Sequence, residues 1–198
     1  MKALAAALMS ILAVTGAAHA SSTILPDSCG KDAVHFNVDT TKNSAPLAAP
    51  EAGRAQIVFI ESLESSGMYL GGTPSTRFGI DGAWVGANKG NSYFVVSVAP
   101  GEHHLCVNWQ SHVQGKNPPV GMSSFTAEAG KTYFFEVKIT RKFTSGPTVI
   151  GGGQPGQPPP TVLGGGRSDQ SFAFSAVDDD EGKYRVKLSE LSKFTEDH

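Results

Sequence analysis

The sequence predicts a mainly β protein, an antiparallel β-sandwich of about seven to eight strands with a short C-terminal helix. Three observations carry that expectation. Short alternating or β-branched runs recur between residues 55 and 177; the gaps between them are filled by Gly, Asn, Asp and Pro; and no long amphipathic helical stretch intervenes.

Gln56-Ile57-Val58-Phe59-Ile60 is a β-branched and aromatic run, short enough for a buried strand. A loop is marked after it by Gly67, Gly71, Gly72 and Pro74. Arg77 to Ile80 then leads into Asp81-Gly82, a two-residue hairpin signal because both positions tolerate positive φ, and Ala83 to Gly86 returns from it. Asn88 to Asn91 reads as a second turn, Ser92 to Val98 as a strand, and Pro100-Gly101 as a third turn. Tight turns of this kind imply antiparallel neighbours. In His103 to Gln110 the alternation sets His103, Leu105, Val107 and Trp109 on one face and His104, Cys106 and Asn108 on the other. Ser123–Ala127 and Tyr133–Ile139 are expected to pair across Ala129-Gly130-Lys131, and Ser171 to Val177 supplies a further strand.

The two ends read differently. Residues 1–20 combine Lys2, an apolar run from Ala3 to Val14 and Ala18-His19-Ala20, the pattern of a secretory signal peptide cleaved after Ala20. The apolar run is shorter than a bilayer needs, so no membrane span is expected. The Pro26-Asp27-Ser28 sequence before Cys29 does not suit a lipid-attachment box. Residues 21–52 read as an extension or linker in which Val34 to Val38 could add an edge strand, 53–192 as the sandwich domain, and 193–198 as a tail. Gly or Pro occupies 13 of the 22 positions in 145–166, so this stretch is expected to be a mobile loop inserted at a hairpin tip. Asp178 to Glu181 places negative charge where the positive end of a helix dipole would lie, with Tyr184, Leu188 and Leu191 at helical spacing behind it.

The composition limits the chemistry. A net charge of −2 with scattered basic residues gives a polyanion nothing to hold, so no nucleic-acid partner is expected. Two cysteines in an exported chain are expected to pair, and a Cys29–Cys106 disulfide would staple the leading segment to the sheet. His103, His104, Cys106, Trp109 and His112 form the one metal-like cluster, but neighbouring histidines on a strand face opposite ways, so neither a metal nor another cofactor is expected. Gly-x-Ser-x-Gly and phosphate-loop patterns are absent. Glu61, Glu64 and Asp178 to Asp180 read as surface carboxylates, and the acidic run lacks the loop grammar of a calcium site. Tyr69, Trp84, Tyr93 and Trp109 could offer an aromatic platform to a glycan, although such residues in sandwiches usually pack in cores.

Phe78-Gly-Ile-Asp-Gly-Ala-Trp-Val-Gly-Ala-Asn-Lys-Gly-Asn-Ser-Tyr-Phe, then Val98-Ala-Pro-Gly-Glu-His-His-Leu-Cys and Ala127-Glu-Ala-Gly-Lys-Thr-Tyr-Phe-Phe, resemble bacterial secreted proteins of domain-of-unknown-function family 2846. The order of these turns is also similar to PEGA-type β-sandwich modules. The resemblance spans about residues 53–192 and implies an extracytoplasmic sandwich without catalytic residues. Together these readings give the expected function: a non-catalytic secreted or periplasmic module that holds an envelope protein or a cell-wall glycan. The alternative is a glycan-binding module using Trp84 and Trp109. A third reading is a metal-dependent enzyme around His104 and His112.

Overall fold

A computed structural model describes residues 25–42, 45–66, 73–110, 119–150 and 161–197, with side chains described for all of these except 65–66, 141–150 and 161–170. The expected signal peptide 1–20, His112 and residues 151–160 lie outside the described residues. The described residues form ten strands and one helix: β1 (His35–Thr41), β2 (Ala55–Ser66), β3 (Ser75–Ile80), β4 (Ala83–Lys89), β5 (Ser92–Val98), β6 (Gly101–Trp109), β7 (Val120–Ala127), β8 (Thr132–Ile150), β9 (Thr161–Val177), α1 (Asp179–Leu188) and β10 (Glu190–Asp197). They make a six-stranded sheet ordered β1-β10-β5-β2-β8-β9 and a four-stranded sheet ordered β4-β3-β6-β7.

The sandwich core follows from the period-2 pattern of the central strands. Ile57 and Phe59 of β2 meet Phe78, Phe94, Leu105, Val107, Phe135 and Val137 between the sheets. Phe59 lies 4.8 Å from Phe78 and 5.3 Å from Phe94, ring centre to ring centre. The alternate residues Val58 and Ile60 face outward and are covered in turn, with Tyr93 and Phe134, by Val186 of α1. Because the six-stranded sheet is buried on both faces, β2 reads as a continuous apolar run rather than an alternating one.

Several expectations are corrected. The sandwich is not wholly antiparallel, since β2 pairs with β8 and β10 with β5 in parallel. Asp81-Gly82 does form the β3–β4 hairpin, with Asp81 at φ 50° and Gly82 at φ 85°. The turns at 88–91, at Pro100-Gly101 and at 129–131 instead carry the chain from one sheet to the other. Residues 123–127 and 133–139 therefore belong to different layers. The folded unit also exceeds 53–192. β1 forms as an edge strand at the Val34–Val38 stretch where one was expected, and β10 runs through the stretch read as a tail, the two pairing from His35↔Asp197 to Thr41↔Leu191. The expected loop 145–166 is in its described part a continuation of the β8–β9 ladder, out to Ile150↔Thr161.

The helix forms where its charges predict, with Asp178 as N-cap accepting from the Glu181 N–H at 2.8 Å. Its buried face is not the expected one. Tyr184 and Leu188 are exposed and Leu191 lies in β10, whereas Gly182 and Val186 face the sheet. A Cβ on Gly182 would collide with the Phe134 ring, so the bulk sits on the strand and the helix supplies the gap.

Candidate functional site

The described residues show two contrasting places where function could reside: the face of the small sheet, covered by the N-terminal segment, and the far edge built by β8 and β9.

On the small sheet, residues 26–34 lie across β3, β4 and β6. Cys29 and Cys106 are disulfide-bonded, as expected, with Cα atoms 5.1 Å apart. Beside the bridge, Arg77 is 1 % exposed and its charge is met from three sides. Its Nε and Nη2 donate to Asn108 Oδ1 at 3.0 and 2.8 Å, Nη2 also donates to Asp32 Oδ1 at 2.9 Å, and Nη1 donates to the carbonyls of Asp32 and Val34. Burial pulls the guanidinium pKa below its usual value, and the bond to Asp32 opposes that fall. The guanidinium carbon stands 4.4 Å from the centre of the Trp84 ring, a cation–π contact. Sequence reasoning passed over Arg77 because a single arginine in a strand carries no motif; only the burial of its neighbours reveals it.

Trp84 is half-buried, and its Nε1 donates to the Lys31 carbonyl at 2.8 Å. Gly30 is placed so that any Cβ would enter the Trp84 ring. Trp109 is 2 % exposed. The register sets Trp84 opposite Gly79 and Trp109 opposite Thr76, three residues along β3, so the two indoles stand on opposite faces of the sheet. They cannot form one exposed platform. Tyr93 is likewise buried, and Tyr69 lies outside the described residues.

The histidines separate as alternation requires. His104 is exposed, 3.8 Å from Glu102. The His103 ring lies between two acceptors, Asp81 Oδ2 at 2.6 Å and the Ala99 carbonyl at 2.8 Å. Asp81 Oδ1 also accepts from the His104 backbone N–H at 2.8 Å. Burial works against the imidazolium, but the Ala99 carbonyl and the Asp81 carboxylate outweigh it and raise His103 above 6.5. Asp81 is lowered despite its own desolvation, through the His104 N–H and His103. The pair fastens the β3–β4 turn to the start of β6. No group of three His, Cys, Asp or Glu side chains that could hold a metal occurs among the described residues.

The carboxylates divide as well. Glu64 is a surface group paired with Lys138 at 2.8 Å. Glu61 corrects the surface expectation: it is fully buried, and its Oε1 accepts from the Gly90 N–H at 2.8 Å. Close by, Ser192 Oγ donates to Asn88 Oδ1 at 2.7 Å and Asn88 Nδ2 donates to the Phe59 carbonyl at 3.0 Å. This buried polar group fixes the 88–91 corner, which explains why the turn there crosses between layers.

The outer strands of the six-stranded sheet are finished differently. Along β1 runs an open groove of about 630 Å³, lined in part by Val38, Asp39, Ser75 and Lys89. There the Gln110 side chain stands in for a neighbouring strand, accepting from the Phe36 N–H at 3.1 Å and donating to the Phe36 carbonyl at 2.8 Å. At the other end, the last β2–β8 pair among the described residues is Ser66↔Lys142, while β8 and β9 continue together for eight more pairs. Among the described residues those pairs form a two-stranded ribbon about 25 Å long.

No family model, curated protein sequence or solved structure matches this chain.

Proposed function

We propose that the protein is an exported, non-catalytic interaction module of the cell envelope, and that the β8–β9 ribbon is the element that meets its partner. The carrying observation is the extension of the β8–β9 ladder beyond the last described rung of β2. A two-stranded ribbon is marginal on its own in water, so eight rungs with no third strand among the described residues suit a segment that gains further contacts elsewhere. The disulfide supports an oxidising compartment, in agreement with the signal-like leader. The resemblance of the turn motifs to those of domain-of-unknown-function family 2846 would point the same way. No helix among the described residues is long and apolar enough to cross a membrane.

The test is to replace residues 143–168 by an Asn-Gly turn joining Lys142 to Asp169, which already face each other in the ladder. Crosslinking in the native envelope, followed by reconstitution with the purified partner, is expected to show binding by the intact chain and none by the trimmed one. Circular dichroism should remain that of the sandwich. Equal binding by both forms overturns the assignment.

A further inference from the structure

We propose that β9 is a homodimerisation edge at which a second copy of this chain adds antiparallel across a two-fold axis through Ala173, extending the six-stranded sheet. β9 is the outer strand of that sheet and pairs only with β8 among the described residues. Soluble proteins commonly protect such an edge with charge, proline, a bulge or a covering segment. β1 at the opposite end has the Gln110 amide over Phe36 and carries Asp39. From Gln170 to Val177, β9 has neither charge nor proline. Its exposed residues from 171 to 177, Ser171, Ala173, Ser175 and Ala176, are all small and leave room for a backbone to approach.

The occupant follows from the sequence of the edge. Ser171-Phe172-Ala173-Phe174-Ser175 reads the same in both directions. Antiparallel pairing about Ala173 therefore sets Phe172 opposite Phe174 of the second copy and Ser171 opposite its Ser175, the self-complementarity an isologous interface requires. Such an axis is perpendicular to the sheet and keeps the small sheets of both copies on one side. The strand of the small sheet nearest β9 is β7, whose Gly121 backbone abuts Phe174. That strand carries Val120, 37 % exposed, and Met122, 60 % exposed, two of the five large apolar side chains exposed among the described residues. The dimer brings these apolar groups towards their copies. A short strand interface is at the small end of specific contacts, so dissociation constants of micromolar order are expected.

Sedimentation of the purified protein over a concentration series is expected to show a monomer–dimer equilibrium. Ala173→Lys, at an exposed position, is expected to leave the circular dichroism and thermal midpoint of the sandwich in place and shift the protein to monomer, because two lysines then face each other on the axis. Ser175→Lys should weaken the dimer without abolishing it. A separate positional test uses oxidation: Ala173→Cys should form a covalent dimer faster than Ser171→Cys, since only the residue on the axis meets its own copy. A chain that is monomeric throughout, a dimer unaffected by Ala173→Lys, or equal crosslinking at the two cysteines overturns the proposal.

Discussion

The two flanks of the sandwich solve the same problem, a sheet that ends, in opposite ways. On the N-terminal flank the chain uses a disulfide, a buried arginine with its partners, an indole, and a glutamine amide that completes the last strand. On the β8–β9 flank it adds two long strands and then leaves the outer one uncovered among the described residues. Stability is thus concentrated where segment 26–41 is fastened, and recognition is proposed where it is not. The lesson is that an extension with little hydrophobic pattern can still be a structural element when specific bonds hold it.

The largest effect should come from cutting the fastened flank. The disulfide closes a separation of 77 residues, for which the loop-entropy relation gives about 4.5 kcal/mol. Replacing Cys29 and Cys106 by alanine should lower the urea midpoint by a corresponding amount, with the slope lowered if residues 26–34 come loose in the folded state. An unchanged midpoint would show that the bridge is ornamental. Next is Arg77→Ala, which leaves Asn108 and the Trp84 face without their partner; a loss of about 3 kcal/mol is expected. Arg77→Lys should recover only part of it, because lysine lacks the planar fork that reaches Asn108 and Asp32 together. A smaller loss, about 1 to 2 kcal/mol, is expected for Gln110→Ala, which removes both bonds to Phe36.

The His103–Asp81 clasp gives the comparison a pH dependence. His103 is raised above 6.5, so its contribution is complete below pH 6.5 and is lost as pH rises through the folded value. Asp81 is lowered below 3.8, so its contribution is present above that pH and fades as pH falls through its folded value. Urea midpoints for the wild type should therefore decline from pH 6.5 upward, and His103→Gln should flatten that limb. A parallel decline in the variant would assign the dependence to other groups.

How much of this was legible depended on how local each cause is. The Asp81-Gly82 hairpin could be read because positive φ is a property of the turn itself. The corners at 88–91, Pro100-Gly101 and 129–131 could not be told from hairpins, since the same residues reverse a chain within a sheet or between two. What decides is distant: Glu61 and Ser192 anchor the 88–91 corner from β2 and β10. Parallel pairing of β2 with β8 was invisible for the same reason. The disulfide was legible from cysteine number and the compartment expected of a chain with a signal-like leader, yet the strand it helps position, β1, was seen only as a possible edge. The helix was placed correctly by its charges and given the wrong inner face, because the pattern of apolar residues does not show that Phe134 needs a glycine above it.

The most direct test of the contrast is hydrogen exchange on the oxidised and the reduced protein, compared segment by segment. Reduction is expected to speed exchange in residues 26–41 and in β3 and β6, which the N-terminal segment covers, while β8 and β9 keep their oxidised rates. Equal loss of protection in β8 and β9 would mean that the two flanks stand or fall together, and would contradict the account.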